Sequence, residues 1–487
     1  MRPAPDGIPS APGRLPVVGH VPALLHHPLA FLSALPSPAR IEIGPLSAVV
    51  VSDPELTRQV LLDDRTFDKG GTLFERLREI VGDGLATCPH ARHRRQRRLS
   101  QPAFHPARLP GYAETMTACA TALRDGWHEG QVLDVRQEMM GLTIGILMET
   151  MFSGGLPAGR LDQCVRDVNT LIAGVYRRAI LPPALNSLPT PGNRRYLRAT
   201  ARLRATVDEV VAERRRGPAQ PRRQDLLSAL LSAQDTGEEG RERPAGAEGS
   251  AGPARLSAEE ISDQAVTYFL AGAETGAIVL AWALHLLSRN PRTAARVRAE
   301  AQAVHGGGDG LGHGGGHGGD HAGHGTGHGG GPTGLDRLAK LEVTARVVQE
   351  TLRLYPPAWM LTRTTTADTR LAGHPVAAGT TVVYSPYLVH HSADSYPDPE
   401  LFDPDRWDGA RPQPPRHAFI PFGGGARKCI GDRFGTAEAV LALSAIAARW
   451  QLEPLPGRPV RPATGLTLSP RGLRLRVTAG DRSPSLP

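Results

Sequence analysis

Cysteine is scarce in this sequence: Cys88, Cys119, Cys164 and Cys429 are the only four in 487 residues, and their spacing is irregular. That excludes a disulfide framework or a paired-cysteine zinc site, and it suits a reducing compartment. An unbroken apolar stretch near the start is also missing. MRPAPDGIPSAPGRLPVVGH carries charges and five prolines, so neither a secretory leader nor an N-terminal anchor is expected. Charge of one sign is not in large excess, with 56 Lys and Arg against 48 Asp and Glu, a formal +8. An acidic protein partner is compatible with that surplus. A nucleic acid is not expected, because the dense run Arg92 to Arg98 has no interleaved aromatic residues on which bases could stack.

What is present is enough apolar surface for a sizeable core, at 40% hydrophobic and 21% charged residues. Amphipathic periodicity predicts helices around 113 to 126, 135 to 152, 160 to 176, 195 to 215 and 224 to 233. Short β-branched runs, IEIGPLSAVVV near 41 to 51, TTVVYSP near 380 to 386 and LRLRVTAG near the end, predict small sheets. The fold class is therefore mainly α with minor β. Residues 265 to 287, AVTYFLAGAETGAIVLAWALHLL, are almost long enough to span a membrane, but Glu274 sits at the centre and Ser257 with Glu260 forms a capping box upstream. A buried core helix is expected, not a span.

Two stretches interrupt the pattern. Residues 236 to 255 are rich in Gly, Ala, Glu and Arg without periodicity, and residues 305 to 334 repeat Gly around His305, His313, His317, His321, His324 and His328. Each lies between helical segments, so both are expected as flexible insertions within a single domain spanning 1 to 487.

The most specific chemical signal is PFGGGARKCIGDRFG, residues 421 to 435, in which glycines surround one cysteine. Glycines let backbone approach a flat ligand, and backbone amides aimed at a sulfur would tune it as an iron ligand. With Phe422, Gly425, Arg427, Cys429 and Gly431 in place, the segment resembles the haem-binding loop of the cytochrome P-450 family, F-x-x-G-x-R-x-C-x-G. The resemblance implies the P-450 fold, a long central helix over haem with small β-sheets, and haem b (iron protoporphyrin IX) with Cys429 as its axial thiolate.

Other segments carry the same resemblance. In LEVTARVVQETLRLYPP, Glu350 and Arg353 share a helix face, and with Arg406 of LFDPDRW they resemble the family's buried Glu, Arg and Arg triad. Ala271, Gly272, Ala273, Glu274 and Thr275 resemble its A-G-x-[DE]-T element, in which Glu274 and Thr275 would deliver protons for oxygen activation. Thr275 can equally bond the carbonyl four residues back and bend the helix. Gly272 and Gly276 share a face, which would let a planar ligand or substrate lie close to the backbone. Many relatives carry a second hydroxyl where this chain has Gly276. His93 and Arg97, four apart in HARHRRQRRLSQPAF, resemble the propionate clamp, and Arg363 matches a second propionate contact.

The resemblance implies a monooxygenase that inserts one oxygen atom of O2 into a lipophilic small molecule. Ala271, Leu361, Thr362, Leu466 and Thr467 are the candidate pocket residues. No ferredoxin-like cysteine spacing, flavin segment or nicotinamide fingerprint accompanies them, so an external ferredoxin and its reductase are implied. The basic loop at Arg427, Lys428 and Arg433 would meet that acidic partner. A cytoplasmic, soluble bacterial member is expected, and LLDDRTFDKGG and HRRQRRLSQPAFHP resemble, more loosely, bacterial terpenoid hydroxylases.

Three alternatives stand beside this reading. Asp63, Asp64 and Asp68 imitate the magnesium-binding cluster of a terpene cyclase. The His-rich tract could bind zinc, nickel or copper. A peroxygenase or isomerase could share the haem fold, although Glu274 and Thr275 favour oxygen activation.

Overall fold

The computed structural model describes residues 7–44, 46–153, 158–181, 183–216, 225–232, 256–305, 334–457 and 459–479. Helices dominate, and the longest, Ala258–Arg289, runs through the middle. It is apolar around its circumference, so it has no face to give to water and must be enclosed. It packs against Val135–Phe152, Asp432–Arg449, Pro191–Arg216 and Glu342–Leu354, which together cover most of its length. It is the one helix among the described residues long and apolar enough to cross a membrane, and 78% of its apolar window is buried within the fold. The expected capping box closes its start: Glu260 N–H donates to Ser257 Oγ at 3.1 Å, and Ser257 N–H to Glu260 Oε2 at 2.9 Å.

The amphipathic stretches fold as helices Leu109–Asp125, Val135–Phe152, Ala158–Ile180, Pro191–Arg216 and Leu226–Ser232. The β-branched runs form a five-stranded sheet in the spatial order Ala39–Ile43, Leu46–Val51, Thr381–Tyr384, Leu361–Thr365 and Phe67–Asp68. Its pairs are antiparallel except for Leu46–Val51 beside Thr381–Tyr384. A three-stranded sheet joins Val132–Asp134, Arg474–Ala479 and Trp450–Pro454, and a hairpin pairs Arg461–Thr464 with Leu468–Arg471.

Most of the Gly-rich and the Gly- and His-rich stretches lie outside the described residues. Two boundary residues of the second belong to its flanking helices. His305 ends helix Pro291–His305 with Nε2 at 3.1 Å from Ser444 Oγ, and Gly334 begins Gly334–Ala339, packed on Leu109–Asp125.

Candidate active site

The cysteine loop is shaped by its own backbone. Cys429 N–H donates to Phe422 O at 2.9 Å, closing the loop, and Gly425 adopts φ +64°. A Cβ at Gly425 would stand 2.2 Å from Leu61 O, so the neighbouring helix Pro54–Leu62 requires a glycine here. Gly431 is the glycine that serves the sulfur, because its N–H faces Cys429. Burial pushes the Cys429 thiol up, opposed by that N–H and by Arg97 and Lys69, while Asp432 adds to the rise. Cys429 nonetheless retains accessible surface.

Cations gather around Cys429. His93 and Arg97 lie on helix His90–Ser100, and Arg97 donates to Lys428 O at 2.5 Å, tying the helix to the cysteine loop. Arg363 is buried, donates to Thr362 O at 3.0 Å, and stacks 5.2 Å from the Tyr384 ring. Lys69, which sequence reasoning missed, joins them. Its ammonium is brought down to about 7 by burial first, then by Arg363 and Arg427, and it donates to Leu85 O at 3.2 Å. Burial, then Arg427, Lys69 and Arg97, bring His93 down to about 3, so its imidazole is neutral. Among the described residues, no carboxylate pairs with Lys69, Arg97 or Arg363. Unpaired cations beside Cys429 make a donor set that fits a flat ligand with carboxylate arms.

Arg427 behaves differently. It is buried, pairs with Asp68, stands 3.4 Å from Asp64 and donates to Cys88 O at 3.1 Å. Asp63 Oδ1 accepts from Thr66 N–H at 3.1 Å. The acidic trio that imitates a magnesium cluster is thus divided between a local turn and the neutralisation of Arg427. Burial also withdraws Arg427 from the partner-facing surface where the sequence reading put it.

In the central helix, Ala271 is accessible although most of its neighbours are enclosed. Thr275 is half-buried and its Oγ1 donates to Ala271 O at 2.7 Å, the local bond foreseen for a mid-helix threonine. Glu274 is buried, and Thr467 Oγ1 donates to its Oε1 at 2.8 Å. Burial pushes the Glu274 carboxyl up to about 7, opposed by Thr467 and Arg136. Gly272 and Gly276 are packed against neighbouring side chains. Cβ atoms there would stand 3.0 Å from Leu147 and 3.0 Å from Glu438 Oε2, so these glycines serve helix packing, turned about 100° per residue from Ala271 and Thr275. Glu438, on the last long helix, is a second buried carboxyl pushed up to about 8 by burial, and its Oε1 meets no donor among the described residues. A lone charge in the apolar run TAEAVLALSAIAA was the available signal for it.

The triad is only partly as expected. Glu350 and Arg353 are wholly buried and joined by two hydrogen bonds of 2.9 and 2.8 Å. Arg406 Nε reaches 3.6 Å from Glu350 Oε1, an ion pair without a hydrogen bond, whereas Trp407 Nε1 and Asp403 N–H donate to that carboxylate at 2.9 and 3.1 Å. Of the pocket candidates, Ala271, Leu361, Thr362 and Leu466 retain accessible surface; Thr362 Oγ1 donates to Gly70 O at 2.7 Å, and Thr467 is buried against Glu274.

The cytochrome P-450 family model matches residues 9–476, and the chain belongs to that family. It is a haem-thiolate monooxygenase. Among its relatives, pentalenene oxygenase of Streptomyces avermitilis is 41% identical over 475 residues, covering 96% of this chain and 97% of the relative. Cyclooctat-9-en-7-ol 5-monooxygenase and cyclooctatin synthase, both of Streptomyces melanosporofaciens, are 40% and 38% identical; the alignments cover 92% and 96% of this chain and 90% and 94% of the relatives.

Proposed function

We propose that this enzyme oxidises a cyclic terpenoid, drawing electrons from a small acidic ferredoxin and its reductase in the cytoplasm. The observation that carries the chemistry is accessible Cys429 among cations, with Ala271 left accessible on the otherwise enclosed central helix. The substrate class is supported by relatives whose names specify pentalenene and cyclooctat-9-en-7-ol, aligned over nearly the whole chain.

Haem, when bound, supplies the activation of O2, assisted by electron donation from the thiolate. In our reading Cys429 ligates the iron, and the Gly431 N–H moderates the charge on sulfur. Lys69, His93, Arg97 and Arg363 hold the propionates, with neutral His93 acting as a hydrogen-bond donor. Phe422 and Gly425 shape the loop. Glu274, titrating close to neutrality, passes protons towards the Thr275 hydroxyl. Ala271, Leu361, Thr362 and Leu466 present mostly apolar or small surface to a lipophilic substrate.

The partner would dock on the face that bears exposed Arg94, Arg98, Lys428 and Arg433, joined to the thiolate loop through Arg97. The test is the spectrum of the reduced, carbon-monoxide-treated protein beside Cys429→Ala, followed by titration with cyclic sesquiterpenes and diterpenes. A red-shifted Soret band lost in the variant, and a terpenoid-induced spectral shift, support the reading. An unshifted band refutes the thiolate assignment, and silence towards every terpenoid refutes the substrate class.

A further inference from the structure

Glu274 is held by a hydroxyl rather than a cation. Thr467, 193 residues further along the chain, donates to its Oε1. The charge that acts on it from helix Val135–Phe152 is Arg136, whose Nη1 is engaged with Asn169 Oδ1 at 2.9 Å; on helix Asp432–Arg449 the titratable group nearest this part of the central helix is Glu438, which faces Gly276. Thr467 itself lies in the turn of the hairpin Arg461–Thr464 and Leu468–Arg471.

That turn is fixed on either side of Thr467. Trp359 Nε1 donates to Gly465 O at 3.0 Å, Trp282 Nε1 to Leu468 O at 2.8 Å, and Leu468 N–H to Pro357 O at 3.1 Å. Both tryptophans are among the largest fully buried side chains. Trp282 belongs to the same helix as Glu274, about two turns on, so hairpin and helix are locked in register. A donor on a rigid turn thus meets an acid with three rotatable bonds, and the donor decides where the acid sits.

We propose that Thr467 is a positioning residue for proton delivery: its hydroxyl, fixed by the hairpin, holds the Glu274 carboxyl in place beside Thr275 and joins the Leu466 side of the pocket to the proton supply. This rests on Glu274 being the acid of the reaction. The hydrogen bond favours the carboxylate, so removing it leaves burial opposed by Arg136 alone, and Glu274 stays protonated to higher pH.

The test uses the haem-loaded full chain with Thr467→Val, Thr467→Ser and Glu274→Gln. The infrared carbonyl band of the buried acid, assigned by its disappearance in Glu274→Gln, is titrated in each protein. Product formed per reductant consumed is measured across the same pH range. In Thr467→Val the band should persist about one pH unit higher, a tenfold change in proton affinity, and coupling should fall several-fold, while Thr467→Ser restores both. Should Thr467→Val not accumulate as folded holoprotein, Thr467→Ala takes its place. Unchanged titration and coupling in the hydroxyl-free variant, with coupling lost in Glu274→Gln, overturn the proposal alone. Parental coupling in Glu274→Gln overturns Glu274 as the acid, and the proposal with it.

Discussion

The indole of Trp407 donates to Glu350 Oε2 at 2.9 Å and takes the hydrogen bond that the sequence assigns to the adjacent Arg406. The Glu350 carboxylate is therefore satisfied by Arg353, Asp403 N–H and Trp407, and Arg406 contributes charge at 3.6 Å.

Truncating Glu350 to Ala should remove folded holoprotein, because Arg353 would remain buried without its partner, at a cost of about 3–5 kcal/mol. Trp407→Phe should cost less, about 1.5–3 kcal/mol, the loss of one hydrogen bond to a charged acceptor. Haem content and urea midpoints check both, and normal haem content in Glu350→Ala would refute the assignment.

Restoring a hydroxyl at position 276 should harm this protein. A Cβ there would stand 3.0 Å from Glu438 Oε2 and 3.1 Å from Thr143 Cγ2, and Thr143 is pinned by its bond to Ala273 O at 2.7 Å. The Glu438 carboxyl can swing aside but the Thr143 methyl cannot. Gly276→Ala should lose about 1–3 kcal/mol to overpacking, outweighing the helix-propensity gain of about 1 kcal/mol. Gly276→Thr should lose more, read by denaturant unfolding.

The raised carboxyl of Glu438 makes stability depend on pH. With a folded value of about 8 against an unfolded value near 4.5, the native state binds the extra proton between these limits. Its stability is full below about 4.5 and is lost as pH rises through about 8, at roughly 1.4 kcal/mol per unit of difference as an upper bound. Glu438→Gln cannot ionise, so its melting temperature relative to the parent should improve steadily between about pH 5 and pH 8. A constant offset would show that Glu438 does not titrate in this window.

Charge reversal at Arg94 and Arg433 should raise the KM for a reduced acidic ferredoxin, most at low ionic strength, while leaving the carbon-monoxide spectrum intact. Unchanged salt dependence would move the docking face elsewhere.

The sequence by itself determined the family, the central helix and its cap, and the Glu350 and Arg353 pair. Each of these is carried by residues within one loop or a few helical turns, where backbone geometry converts spacing directly into proximity. Tertiary structure alone decided the purposes of Gly425, Gly272 and Gly276, the pairing of Asp64 and Asp68 with Arg427 more than 350 residues away, the arrival of Lys69 among the cations, and the grip of Thr467 on Glu274. Those contacts join segments hundreds of residues apart. No periodicity or motif spacing encodes which distant backbone a glycine must clear, or which buried charge an aspartate must neutralise; packing of the folded chain does.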